Sequence, residues 1–351
     1  MSNDAQPPLN MFAAQQYLLV ERLNRLVANL HPLLRADVLR ALESEGKLLF
    51  RPHTDAHSAH SPKPQPPALP DGAWPLLTLL VAQHITPDID PECASTVAIA
   101  VECYVCALDL LDDVEDDDQT PIVQALGPAR TLNVSTTLLM LTQRAILSLS
   151  QQGIPSERIF NLLDAIQESS LAATAGQHRD LLAEQRSAQD LTREECIEIA
   201  AGKGAIMRLA CQLGAVCAGA TDAVCEQFSE IGELLGISHQ LDNDAHDLYY
   251  LLQSDTSAVT PTEAASMKTD LLRGKKTLPV VLAAKRADTL QRTPLSADEE
   301  KKEYLRALHE GIITTWGICL LYRERARDRL QEIESLNRPI APALRLLLGV
   351  S

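Results

Sequence analysis

Seven of the ten residues from Asp109 to Asp118 are acidic, in the stretch "ALDLLDDVEDDDQTP", and they follow the apolar run "STVAIAVECYVCALDLL". On a helix, residues i, i+1 and i+4 share one side, so Asp112, Asp113 and Asp116 would project together, with Asp109 one turn back. Carboxylates at a helix C-terminus meet the negative end of the helix dipole and are unfavourable there unless cations offset them. Magnesium is such a cation: it takes one or two carboxylates and completes its octahedron with water and phosphate oxygens. A solvated acidic loop after a core helix would look the same in isolation. A second cluster separates the two readings. In "GISHQLDNDAHDLYYLL", Asn243, Asp244 and Asp247 repeat the spacing after another apolar helix, with Asp242 and His246 adjacent. Two facing helices with matched clusters can clamp several magnesium ions, and the ions can hold a diphosphate. Basic side chains should take the remaining phosphate charge, and Lys203 in "AAGKGAIMRLA" and Lys275 in "DLLRGKKTLPVVLAA" are the candidates.

Other residue types that could do chemistry are read as structural. Cys103 and Cys106 form a lone C-x-x-C inside an apolar helical run, without the second ligand pair that a zinc site needs, and read as small buried hydrophobes. His53, His57 and His60 fall in "RPHTDAHSAHSPKPQPPALPDG", a stretch with six prolines, and read as solvated loop histidines.

The elements that must position the clusters follow from the apolar spacing. Residues 11–48 read as helical with a break near His31-Pro32. The Pro-rich stretch 51–71 reads as a loop or linker. From residue 72 to 351 a series of helices is expected, at about 74–84, 92–113, 122–150, 156–183, 192–218, 222–248, 260–273, 278–288, 297–311, 313–334 and 339–349. "PSERI" and "LTREE" carry start signals, a Ser or Thr before acidic residues. No segment alternates with period two. Gly is scarce at 15 residues, and hydrophobic residues make up 46% of the 351. The expected fold class is all-α: a bundle of many helices, with residues 1–50 packing onto the rest as one domain. A net charge of −16 argues against a nucleic-acid or anionic-membrane partner and is in keeping with recruitment of divalent cations. The N-terminus lacks a leader pattern, and no run reaches the roughly 18 apolar residues of a membrane span. The expectation is a cytoplasmic protein with reduced thiols and no transmembrane segment.

From about residue 72 onward these motifs resemble the trans-isoprenyl diphosphate synthases, the polyprenyl synthetase family. "LLDDVEDD" is similar to the first D-D-x-x-D motif and "GQHRDLLAE" to the G-Q-x-x-D-L segment. "KGAIMRLA" stands where the family has K-T, "HQLDNDAHD" resembles F-Q-x-x-D-D-x-x-D, and "DLLRGKKTLPVVLAA" resembles D-L-x-x-G-K-x-T-L-P-V. The resemblance implies an isoprenoid synthase-type bundle around a central cavity. It also implies ionisation of an allylic prenyl diphosphate to a carbocation with the help of Mg2+, three ions in all. Asp112, Asp113 and Asp116 would ligate two of them, and Asn243, Asp244 and Asp247 would face the third. Lys203 and Lys275 would bind the leaving diphosphate, with Gln240 beside it. Ala107 and Leu108, just before the first motif, would bound the cavity. As neither is aromatic, a farnesyl or geranylgeranyl substrate fits better than a geranyl one. A homodimer is the family default.

The departures concentrate on the second substrate. Elongating members bind isopentenyl diphosphate through G-G-K-x-x-R-P, where this chain has "DGAWPLLTLLVAQ", with Ala73 and Trp74. Val105 replaces the family's His, no basic residue follows the first motif before Arg130, and Asn243 replaces the first Asp of the second motif. A second diphosphate needs positive charge to offset the first. The expectation is therefore a terpene synthase, which releases diphosphate and cyclises the cation or quenches it with water. An aromatic content of 3% counts against it, with Trp74, Tyr104, Tyr249 and Trp316 available to face a cation. The alternatives are a prenyltransferase, either chain-elongating with charge supplied by Lys47, Arg51 or Lys63, or using an acceptor without diphosphate. A non-catalytic partner subunit comes last, because the first aspartate motif is kept.

Overall fold

The computed structural model describes residues 13–45, 73–253, 274–290, 297–336 and 339–349. The Pro-rich stretch, its three histidines, Lys47, Arg51, Lys63 and the helix expected at 260–273 lie outside them. Among the described residues there is no strand; the regular structure is thirteen α-helices and one 3₁₀ turn. In chain order they are α1 (Ala13–Val27), α2 (Pro32–Ser44), α3 (Trp74–Ile85), α4 (Pro91–Glu115), α5 (Pro121–Leu126), α6 (Pro128–Ser148), α7 (Ser156–Glu184), α8 (Arg193–Lys203), α9 (Ala205–Cys217), α10 (Asp222–Gln253), α11 (Leu278–Leu290), α12 (Ala297–Leu336) and α13 (Pro342–Leu348). Proline opens α2, α4, α5, α6 and α13, the one place in a helix where its missing N–H costs nothing.

Helix α4 is the centre. Every residue from Cys93 to Ala107 is buried, and small side chains among them let neighbours approach from all sides. The neighbours are α1, α3, α6 and α9, while α10 packs against α8, α9 and α12. Helices α1 and α2 lie on α4 and α6, so residues 13–45 share the core of the rest. By length and apolar composition α4 would pass for a membrane span, with a mean hydropathy of 1.7, contrary to the sequence reading; but 83% of that window is buried inside the bundle.

Two expected helices are split, both at glycines. Gly127 has φ +76, a left-handed conformation that only glycine adopts cheaply, and separates α5 from α6. Gly204 separates α8 from α9 where the chain meets α10: a Cβ on Gly236 would lie 2.2 Å from the Gly204 carbonyl oxygen. This contact holds the end of α8, and with it Lys203, against α10. In the other direction, 297–336 is one helix rather than two. At the expected start signal, Thr192 forms a capping box with Glu195, each side chain bonded to the other's backbone N–H (3.0 and 2.8 Å). Ser156 does not cap α7; the helix starts at Ser156 with Pro155 before it.

Candidate active site

The C-terminal end of α4, the ends of α7 and α8, the middle of α10 and the turn before α11 enclose a cavity of about 510 Å³, within the ~300–1,000 Å³ usual for small-molecule sites. Asp112, Asp113, Lys203, Gln240, Asn243, Asp244, Asp247, Lys275 and Leu108 all line it. The chain thus brings together nearly every candidate residue named from the sequence, across segments far apart in it.

Two expected residues sit elsewhere. Asp116 is the residue after the last turn of α4 and is 1% exposed. Its carboxylate accepts from Lys275 Nζ at 2.5 Å and from Gln177 Nε2 at 3.0 Å, and both of those partners line the cavity. Asp116 therefore acts behind the wall, offsetting the ammonium that faces in. Ala107 is fully buried in the core and does not line the cavity; Leu108 does.

The opposite lysine is held similarly. Lys203 Nζ lies 2.9 Å from Asp180 and 3.3 Å from Asp112. Burial alone would lower its pKa, but Asp112, Asp180 and Asp116 outweigh burial and hold it above the ordinary lysine value, so it stays charged. Asp180 comes within reach because α7 and α8 touch through glycines: a Cβ on Gly176 would lie 2.7 Å from the Gly202 Cα. Burial, reinforced by Asp112 and Asp116, raises the Glu115 carboxyl. Thr120 donates to Asp113 at 2.9 Å, and Gln240 to Asp244 at 2.9 Å. Gln177, Asp180 and Thr120 were given no role from sequence. The G-Q-x-x-D spacing was the available signal for the first two; nothing local marks Thr120.

On α10 the acidic residues divide between two faces. Asn243, Asp244 and Asp247 face the cavity, whereas Asp242 turns to α12, where Arg323 binds it at 2.9 Å, and His246, one turn further along α10, lies 3.2 Å from it. Asp242 is thus engaged elsewhere and does not replace the charge missing at Asn243. Burial opposes ionisation of Asp242, but His246 and Arg323 prevail and lower its pKa. Asn243 is 3.4 Å from His239, whose ring stacks edge-on against Trp74 at 5.4 Å. Of the four aromatics considered, Trp74 lines the cavity; Tyr104 is buried in the core, and Tyr249 packs on Trp316 at 5.5 Å outside it. Val105 is buried, and Arg130 is spent on Asp37 at the surface (2.5 Å).

Whether this donor set suits magnesium is a question of its chemistry. The oxygen ligands are hard and plentiful, but among the described residues no three His, Cys, Asp or Glu side chains converge as a ready-made cage. Magnesium keeps water and phosphate in its shell and asks only one or two carboxylates of the protein, and the hard oxygen donors of Asp112, Asp113, Asp244 and Asp247 on the cavity wall suit it. Among the described residues, the basic side chains on the cavity wall are Lys203, Lys275, Lys276 and His239.

Comparison with known proteins agrees with this architecture. Residues 73–310 match the polyprenyl synthetase family, and the chain belongs to it. It is 24% identical to the geranylfarnesyl diphosphate synthase of Aeropyrum pernix over 286 residues, 78% of this chain and 87% of that one. It is 32% identical to the tryptophan prenyltransferase ComQ of Bacillus spizizenii over 163 residues, 46% of this chain and 53% of that protein. The fold is that of the decaprenyl diphosphate synthase of Rhodobacter capsulatus, with a TM-score of 0.71 at 18% identity, covering 96% of this chain and 94% of that one. These relatives do not support the terpene synthase reading. They favour the prenyltransferase reading that stood behind it.

Proposed function

We propose that the protein is a Mg2+-dependent prenyltransferase that ionises an allylic prenyl diphosphate, of farnesyl or geranylgeranyl length, and joins the prenyl cation to an acceptor, as a chain-elongating trans-prenyl diphosphate synthase does. The observation that carries this reading is the pair of lysines on the cavity wall, Lys275 buried and Lys203 half-buried. Each is braced by carboxylates and faces one cavity with Asp112, Asp113, Asp244 and Asp247.

The departing diphosphate gains negative charge in the transition state. Ammonium groups aimed at its oxygens therefore stabilise that state more than the bound substrate. Asp116 and Asp180 hold the two ammonium groups in place. Gln240 orients Asp244, and Thr120 orients Asp113. Asp112, Asp113, Asn243, Asp244 and Asp247 would hold magnesium, three ions by the resemblance, which would supply Lewis-acid stabilisation of the leaving group. Leu108, Ile206 and Met207 give the same cavity an apolar wall for a prenyl tail.

A second reading, an acceptor without a diphosphate, is favoured by the wall around Trp74. Ala73, Trp74 and Val105 are apolar and buried where elongating members carry cations. The relative named as a tryptophan prenyltransferase accords with it. The test is incubation with magnesium and geranyl, farnesyl or geranylgeranyl diphosphate, with and without isopentenyl diphosphate. Longer prenyl diphosphates formed only in its presence are the expected result. Prenylation of an added indole with no chain extension would favour the second reading. A hydrocarbon or alcohol product without any acceptor would overturn both.

A further inference from the structure

All eight cysteines are free, and one pair stands apart. Cys93, in the first turn of α4, and Cys217, at the end of α9, are 124 residues apart in sequence, yet their Sγ atoms lie 3.6 Å apart. The side chains are 2% and 1% exposed. Both nevertheless sit next to solvent: Glu92 is exposed beside one, and Ala218 and Gly219 are half-buried and exposed beside the other. Cys103 and Cys106, whose C-x-x-C spacing is the more conspicuous, differ in kind. They lie in the middle of α4, where burial pushes both thiols up and leaves them inert.

We infer that Cys93 and Cys217 are an oxidation site, a dithiol that closes to a disulfide when hydrogen peroxide reaches it. The surroundings divide the labour between them. The hydrogen-bonding contact with Cys217 holds the Cys93 thiol below its ordinary range against the cost of burial, with Arg158 and Arg22 acting in the same sense and Asp90 against. The same contact, with burial, pushes Cys217 up. Cys93 lies in the first turn of α4, where the positive end of the helix dipole favours a thiolate, and Cys217 is the last residue of α9, at that helix's negative end, which makes Cys93 the nucleophile and Cys217 the resolving thiol. The Cys93 thiolate attacks one peroxide oxygen and the O–O bond breaks. One proton is taken up, water leaves, and Cys93 becomes a sulfenic acid. The Cys217 sulfur then attacks the Cys93 sulfur, the S–O bond breaks, and a second water carries away the hydroxyl and the thiol proton. In sum, two thiols are oxidised by two electrons and one peroxide is reduced to two waters. Closing from 3.6 Å to a bond of about 2.05 Å asks for about 1.5 Å of approach, a small demand on two side chains at helix ends. Gly219, at φ +72, turns the chain after α9, and Arg158 donates to the Cys217 carbonyl at 3.4 Å and packs on that glycine. The bond would tie α4 to α9 at the ends remote from the carboxylates of α4 and from Lys203.

The test is to treat the full-length protein with a few equivalents of peroxide, alkylate the remaining thiols after unfolding, and map the digest by mass spectrometry. A cross-linked peptide containing Cys93 and Cys217 is expected, with two thiols lost per chain and Tm raised by about 5 °C through closure of a long loop. In Cys217→Ala, a dimedone-trapped sulfenic acid should appear on Cys93 in place of the cross-link. The mapping needs only the unmodified sequence, so a poorly folding variant does not blunt it. Oxidation that falls first on other cysteines, or that takes Cys93 to sulfinic acid with Cys217 still alkylatable, would overturn the inference.

Discussion

Asp116 and Asp242 are both acidic and both lie at the site, yet neither lines the cavity, and that difference sets what substitution should do. Asn243 faces the cavity without charge, whereas Asp242 is engaged by Arg323 and His246 on the far side of α10. Asn243→Asp should therefore lower the magnesium concentration at half-maximal rate several-fold, by adding a hard anionic ligand. Asp242→Asn should leave it within about twofold, while losing some stability from the broken pair with Arg323; titrating magnesium into both variants tests this. Leu108 and Ala107 divide in the same way. Leu108→Phe should shift preference toward shorter allylic substrates by shortening the cavity. Ala107→Phe should instead lower Tm, because overpacking a full core costs about 1–3 kcal/mol; a substrate-competition assay and a melting curve distinguish them. The carboxylates and lysines of the wall were legible in the sequence because their spacing repeats. Invisible there was which oxygen meets which ammonium: the Asp116–Lys275 pair spans 159 positions and depends on the whole packing.

Helix existence was legible nearly throughout, because apolar spacing at 3.6 residues is a long-range signal. Helix ends were not. Gly127 and Gly204 split helices that periodicity would join, and the reason for the second, backbone contact with Gly236, is tertiary. The start of α8, by contrast, is written locally in Thr192 and Glu195. Glu195 is held down to about 2 by the Arg186 guanidinium and by the Thr192 backbone N–H. A carboxyl lowered in the folded state contributes stability above its ordinary pKa, and that contribution disappears as pH falls toward the lowered value. The Tm difference between wild type and Glu195→Gln should thus be full at pH 6 and shrink from about pH 4.5 downward. Thr192→Ala, which removes the cap itself, should cost about 1 kcal/mol at every pH in that range.

At the scale of the molecule, Leu132, Met140 and Leu147 on α6 and Phe160, Leu171 and Leu182 on α7 are exposed at spacings that give each helix one apolar stripe. The homodimer expected of this family would cover such stripes, and light scattering should give twice the mass of one chain; a glutamate at Phe160 should halve it. The chemistry rests on the cavity, where carboxylates brace two lysines of an acidic protein, Lys275 buried and Lys203 half-buried. Its most direct test is the release of inorganic diphosphate from geranylgeranyl diphosphate, with acceptor present, by wild type and by Lys275→Met and Asp244→Asn, melting curves confirming that each is folded. Release is expected to require magnesium, to stop on chelation, and to fall about 10²–10³-fold in either variant. Release that is indifferent to both substitutions, or none from any allylic diphosphate, would contradict it.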